Sequence, residues 1–335
     1  PGVMDVIHPW NLPLFRQLTV DRERMPHALL LRGPAGVGKR DLAMGLAQWA
    51  LCEAPTANGA CGVCDACNWF LQGNHPDFRQ VEPQEEEVDD SGKVTKKASK
   101  QISVESVRGI TDFLGLTAHR GGWRAAVVHP AEYMNAAAAN ALLKTLEEPP
   151  PRVLLILVSH QPGRLLPTVI SRCRQAAVSP PPREAALEWL RQAGVGSPED
   201  VLAEAGGAPL TALCYADPER RSRLEAFLDE LARPARMDPC ALAQSQKDFL
   251  VESWGWLARW IYDLVALRSA GGNRYFRDRS SAIDQVARQA DLVGLLDFQR
   301  ELSEAARWLR HPLGAQLLLE SWLIRYVQVT RGSHE

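Results

Sequence analysis

A chain of 335 residues with 46% hydrophobic and 23% charged residues has an ordinary globular composition and the length for two or three domains. A core of that size needs neither disulfides nor a metal, so any metal site serves one local module. The formal net charge of -2 excludes a free-standing, strongly basic nucleic-acid binder, though not DNA contact within a larger assembly.

The start, Pro1-Gly2-Val3-Met4, has no basic region leading into an apolar run, and no stretch reaches the about 18 uncharged apolar residues that a spanning helix needs. Neither a secretory leader nor a membrane segment is expected. Seven cysteines, four of them crowded into one short segment, predict a reducing, cytoplasmic setting and a metal rather than disulfides.

In chain order, His27 to Arg32 reads as a buried strand and Gly33 to Gly38 as a glycine loop. A helix follows over Lys39 to Leu51, with Leu42, Leu46 and Trp49 at helical spacing. Residues 82–100 run from acidic (Glu82, Glu85, Glu86, Glu87, Asp89, Asp90) to basic (Lys93, Lys96, Lys97, Lys100) with no apolar period, which predicts a solvated, mobile insertion. Arg124 to His129 reads as a second buried strand. Asn135 caps a helix whose Ala139, Leu142, Leu143 and Leu146 line one face, and Pro149 to Pro151 end it. Val153 to Val158 is a third buried strand. Strands alternating with helices predict a parallel sheet with helices on both faces. Pro180 to Pro182 mark a linker, and a helical stretch follows to Ala216, broken at Gly194-Val195-Gly196. Beyond Asp217 only helical spacing appears, as in Trp254, Leu257, Ile261 and Leu264. Trp254, Trp256, Trp260, Trp308 and Trp322 there offer more large apolar area than simple helix packing needs; the region is expected to be the main assembly surface, with each tryptophan read either as interface or as ordinary core.

Strand, glycine loop and helix are the setting of a phosphate loop, and Gly33-x4-Gly38-Lys39 fits most of that motif. The glycines let backbone N–H groups converge on phosphate, and the lysine reaches the terminal phosphates. The next position needs a hydroxyl for Mg²⁺. Here it is Arg40, a donor-only side chain that ligates no cation. The second strand needs an acidic end, one residue for the metal and one for the attacking water, but it ends in His129-Pro130. Glu132 lies beyond the proline and out of register. Without the metal's charge neutralisation, hydrolysis is not expected. The loop then serves either as a structural turn or as a nucleotide site without turnover.

Cys52, Cys61, Cys64 and Cys67 have the count and spacing of a closed, structural tetrahedral zinc site. The ferredoxin pattern for an iron–sulfur cluster fails, because position 71 is Leu71. Cys173, Cys214 and Cys240 read as ordinary small hydrophobes.

Ala141-Leu142-Leu143-Lys144-Thr145-Leu146-Glu147-Glu148-Pro149-Pro150, followed by Ser171-Arg172-Cys173 and accompanied by the four-cysteine module, resembles the bacterial clamp-loader ATPase family of the AAA+ class. By motif the resemblance covers the first 215 residues or so. It implies an AAA+ P-loop-type α/β domain with a parallel sheet over residues 1–178, carrying the zinc module (52–67) and the charged insertion (82–100). A small helical lid over 179–216 and an all-α collar for oligomerisation over 217–335 follow. It implies γ/τ and δ subunits as partners, with the sliding clamp and primed DNA reached through the complex and ATP bound at neighbouring subunits. It also gives Arg172 a role as an arginine finger acting in trans. The γ/τ type keeps an intact phosphate loop, an acidic strand end and a lid arginine. Arg40, His129-Pro130 and Pro209-Leu210 depart from all three, as in the loader subunit that does not hydrolyse ATP. Two rival readings are an active ATPase using Lys39 and His129 as an unorthodox metal ligand, and a zinc-dependent nucleic-acid module. The span from Cys61 to Cys67 contains no Lys or Arg, which disfavours the last.

Overall fold

A computed structural model of the chain describes residues 7–83, 87–88, 94–96, 101–119, 122–305, 309 and 314–331. Two compact units divide at the proline linker, Pro1–Pro181 and Pro182–Glu335.

The first unit opens with helix α1 (Leu12–Leu18) and strand β1 (Ala28–Arg32). The glycine loop leads into helix α2 (Lys39–Leu51), where Leu42, Leu46 and Trp49 are buried as their spacing predicts. Helix α3 (Asp65–Leu71) and strand β2 (Phe78–Val81) come next. Within the charged insertion, strands β3 (Glu87–Val88) and β4 (Val94–Lys96) pair antiparallel. Most of the insertion expected to be solvated and mobile lies outside the described residues. Helix α4 (Val104–Gly115), strand β5 (Arg124–Val128) and helix α5 (Ala136–Glu147) follow. Asn135 caps α5 by accepting the Ala138 N–H at 2.8 Å. Strand β6 (Val153–Ser159), helix α6 (Pro167–Ile170) and strand β7 (Arg174–Ala177) complete the unit.

β2, β5, β6, β1 and β7 lie in that order in one parallel sheet. The three strands expected from their apolar runs are the central ones, and a strand flanked on both sides and covered on both faces must be apolar throughout. Leu30, Val128, Leu155 and Leu157 pack with Val107, Ile110 and Leu142 of α4 and α5. Their alternate neighbours Leu29, Val127 and Ile156 face the other side, where α2 packs. Because every strand runs the same way, the carboxyl ends of β1, β5 and β6 share one edge, the usual place for a ligand crevice in an open α/β sheet.

The second unit is helical among its described residues. Helices α7 (Arg183–Gln192), α8 (Pro198–Glu204) and α9 (Pro209–Tyr215) share a small hydrophobic cluster that includes Leu187, Leu190, Val201 and Ala212. This stretch breaks twice rather than once. The second break is Gly206-Gly207, both at positive φ, which a side-chain-bearing residue adopts at a cost. Helices α10 (Pro218–Leu231), α11 (Pro239–Ser245), α12 (Leu250–Ala270), α13 (Ser280–Gln289), α14 (Leu292–Ala305) and α15 (Ala315–Thr330) enclose a second, larger core.

Of the two readings of the tryptophans, assembly surface or ordinary core, that core favours the second for those described. Trp256 and Trp260 are fully buried and Trp322 is buried, while Trp254 packs against the same cluster and donates to Leu302 O at 3.0 Å. The reason is spacing: Trp256, Trp260 and Leu264 recur every four residues and fall on the inner stripe of α12. Trp260 Nε1 donates to the Tyr326 hydroxyl at 2.9 Å, which donates on to Leu231 O at 2.6 Å, so these two buried groups are satisfied, whereas Trp256 Nε1 has no hydrogen-bond partner. Trp308 lies outside the described residues. Among those residues no helix is long and apolar enough to cross a membrane.

Candidate functional site

The loop between β1 and α2 has the backbone of a phosphate loop. Gly36 and Gly38 take positive φ, and at Gly33 a Cβ would lie 2.0 Å from Val178 O, so only glycine fits there. Lys39 is 2% exposed. Its ammonium donates to Gly33 O at 2.8 Å and to Pro34 O, so the charge is held by carbonyls of the loop itself. Burial pushes the Lys39 pKa down to about 8, with Glu132 opposing, and the amine stays ionised at neutral pH.

Residues ahead of α1 fix the far end of the loop, and nothing in their spacing marked them. Trp10 Nε1 and Asn11 Nδ2 donate to Val37 O at 3.0 and 2.8 Å. His8 Nε2 lies 3.0 Å from Asp41 Oδ2 on the first turn of α2.

Both positions that should anchor Mg²⁺ carry other chemistry. Arg40 Nε donates to Glu82 Oε1 at 2.8 Å. His129 follows β5; its Nδ1 is 3.5 Å from the same oxygen and its Nε2 is 3.3 Å from His160 Nε2. Both imidazole nitrogens thus face partners within the protein. Burial lowers the His129 pKa, with Glu82 opposing, and burial followed by the Lys39 charge pushes His160 down to about 4. Both rings are neutral at pH 7. Glu132, expected to be out of register, corrects that expectation in part. It sits in a turn at Ala131–Tyr133, is 7% exposed, accepts the His160 N–H at 3.0 Å and acts electrostatically on Lys39. Its other oxygen, Oε2, is buried without a hydrogen-bond partner.

The four cysteines converge. One ligand atom from each of Cys52, Cys61, Cys64 and Cys67 lies within 4.8 Å of every other. Sγ–Sγ distances are 4.0 Å for Cys52–Cys64 and for Cys61–Cys67. A tetrahedron with metal–sulfur bonds of about 2.3 Å has edges of roughly 3.8 Å, so the set fits such an ion. The backbone prepares it: Cys61 N donates to Cys52 Sγ at 3.2 Å, and Cys64 N and Cys67 N donate to the preceding ligand sulfur at 3.4 Å. N–H groups from Val63 and Cys64 lower the Cys61 pKa to about 6, favouring the thiolate a metal needs. Burial raises those of Cys52 (to about 11) and Cys67. Cys52 ends α2 and Cys64 caps α3, so a metal would join the two helices. Among the described residues no other group of three or more His, Cys, Asp or Glu side chains converges in this way.

Arg172 lies just after α6. Its Nη1 donates to Thr168 O at 3.0 Å and its Nη2 pairs with Glu147 Oε1 at 2.7 Å, so its partners are off the phosphate loop. Cys173 beside it is buried. Pro209 and Leu210 begin α9, where no arginine is offered.

A parallel sheet in which β6 separates the loop-bearing strand β1 from β5, followed by helices, is a P-loop-type α/β domain of the AAA+ class with a helical region behind it. The chain belongs to the family described as DNA polymerase III, delta subunit, whose profile matches residues 13–182. It is 47% identical over 210 residues to the DNA polymerase III subunit delta' of Pseudomonas aeruginosa, covering 62% of this chain and 60% of that protein. It is 32% identical over 335 residues to the protein of the same name from Yersinia pestis, covering 95% of each. The DNA polymerase III subunit tau of Escherichia coli is 33% identical over 152 residues, which span 45% of this chain and 21% of tau.

Proposed function

We propose that this chain is a non-hydrolysing δ′ subunit of a bacterial DNA polymerase III clamp loader, supporting ATP-dependent loading of the sliding clamp onto primed DNA. The observation that carries the reading is the state of the phosphate-loop edge. Arg40 is paired with Glu82, and His129 faces Glu82 and His160, where Mg²⁺ would need a hydroxyl and a carboxylate. The match to delta' relatives along almost the whole chain supports the choice of subunit. The rival reading, His129 as an unorthodox ligand in an active ATPase, is disfavoured because both ring nitrogens already face protein groups. Partners on this reading are γ/τ and δ subunits, with clamp and DNA reached through the complex. The lid spans residues 179–216, and the collar, residues 217–335, provides the oligomerising contacts. Cys52, Cys61, Cys64 and Cys67 hold a structural zinc, since four thiolates leave no open position for chemistry.

Arg172 then works in trans as an arginine finger. ATP bound at a neighbouring γ/τ site develops charge on the transferring phosphoryl oxygens, and a guanidinium placed there stabilises it. Such fingers accelerate hydrolysis by about 10³–10⁵. The test is reconstitution with γ/τ and δ followed by DNA-stimulated ATP hydrolysis and clamp loading. Arg172→Ala should assemble normally and lower both rates in part, since other sites in the ring keep their own fingers. Lysine should restore only part of the loss, because a point charge lacks the planar fork. Wild-type rates in the Arg172→Ala complex would refute the role.

A further inference from the structure

We infer that Glu147 is the residue that positions Arg172 for its neighbour's phosphates, an inference that rests on the trans reading of Arg172. A long arginine on the surface samples many rotamers, and fixing one costs side-chain entropy. A finger must meet that cost before or during the reaction, and a tethered finger meets it before. Here the tether has two points. Thr168 O, in the short helix α6, accepts from Nη1 at 3.0 Å. Glu147 Oε1, at the end of α5, takes Nη2 at 2.7 Å. A guanidinium has five N–H donors, so three remain for phosphate oxygens.

The place of Glu147 argues for a purpose beyond packing. It is the last residue of α5, where the helix dipole disfavours a carboxylate. Its side chain is 51% exposed and that of Arg172 is 36% exposed, so the pair adds little to stability. What it contributes is direction: a rigid helix and a backbone carbonyl hold the two arms of one fork. Removing the carboxylate leaves the finger present but loose on one side.

The experiment uses the reconstituted loader with the full chain carrying Glu147→Ala, Glu147→Gln, Glu147→Asp, Arg172→Ala, or Glu147→Ala with Arg172→Ala. DNA-stimulated hydrolysis is measured over a range of ATP concentrations, with zinc content and incorporation checked for each variant. The contribution of this site is the difference in kcat between wild type and Arg172→Ala. Glu147→Ala should lower that contribution by about 2- to 5-fold, the range of an exposed ion pair, with KM for ATP unchanged. Aspartate should restore part of it. The double variant should match Arg172→Ala alone, because a positioning residue has nothing left to position. Wild-type kcat in Glu147→Ala beside a slow Arg172→Ala would overturn the inference while sparing the finger. Additive losses in the double variant would also overturn it, since Glu147 would then act by another route. Wild-type kcat in Arg172→Ala would remove the finger and this inference together. Should the alanine variant fail to incorporate, glutamine, which keeps the shape without the charge, decides between the same outcomes.

Discussion

The phosphate loop and the cysteine module lie at opposite ends of one helix, α2, and they differ in what their side chains present. At the amino end the backbone is that of a nucleotide site, with its glycines and lysine in place, but the side chains that would hold a metal are an arginine and a histidine tied to other groups. At the carboxyl end the four sulfurs converge within 4.8 Å of one another, as the ligands of a single ion would. On the proposed reading the fold retains the shape of a site without its chemistry. What decides function is the donor set, residue by residue.

The largest test of the contrast is metal removal. Protein purified without chelator should carry one zinc per chain, and Cys64→Ser should lose it. In small zinc domains the metal supplies about 10–16 kcal/mol of apparent binding free energy that is also folding free energy. Chelation should therefore abolish hydrogen-exchange protection between α2 and α3 while sparing the central strands. Elemental analysis that found full zinc in Cys64→Ser would break the cysteine half of the comparison.

The phosphate-loop half should respond as structure rather than as catalysis. Lys39→Ala leaves Gly33 O and Pro34 O without their buried donor, which should cost about 1–3 kcal/mol in urea unfolding. ATP hydrolysis by an assembled loader containing this variant should be unchanged, provided that the subunit incorporates. A loss of turnover at full incorporation would show that this loop contributes chemistry after all.

A smaller effect should follow from pH. The folded His129 and His160 titrate below the ordinary histidine value of about 6.5, His160 near 4. Across that window the unfolded chain binds more protons than the folded one, so the pair leaves stability unaffected above about pH 6.5 and lowers it as pH falls toward 4. His160→Asn should flatten the acid limb of a thermal-melt series. An unchanged limb would mean that neither ring is as sheltered as the geometry indicates.

The central sheet was legible because β1, β5 and β6 are apolar at nearly every position. The edge strands Phe78–Val81 and Arg174–Ala177 were not, since a short strand at the margin reads as loop. The glycine loop and the cysteines were legible from local spacing. Glu82, His160 and the His8–Asn11 clamp were not, because they meet the loop across 26 to 42 residues of sequence or through a separate strand. Glu132 was misjudged for the same reason: counting along the strand placed it out of reach, while the turn after Pro130 carries it back to His160 and the loop lysine. The tryptophans show the limit of composition, since large apolar area alone does not separate a core from a surface.

The central claim is that a phosphate loop lacking both protein anchors for Mg²⁺ does not turn over ATP. The direct measurement is steady-state phosphate release by the isolated chain with Mg²⁺ and saturating ATP, with Lys39→Ala as the control. Background release is expected from both proteins. Release well above background that disappears in Lys39→Ala would contradict it and make this chain an ATPase in its own right.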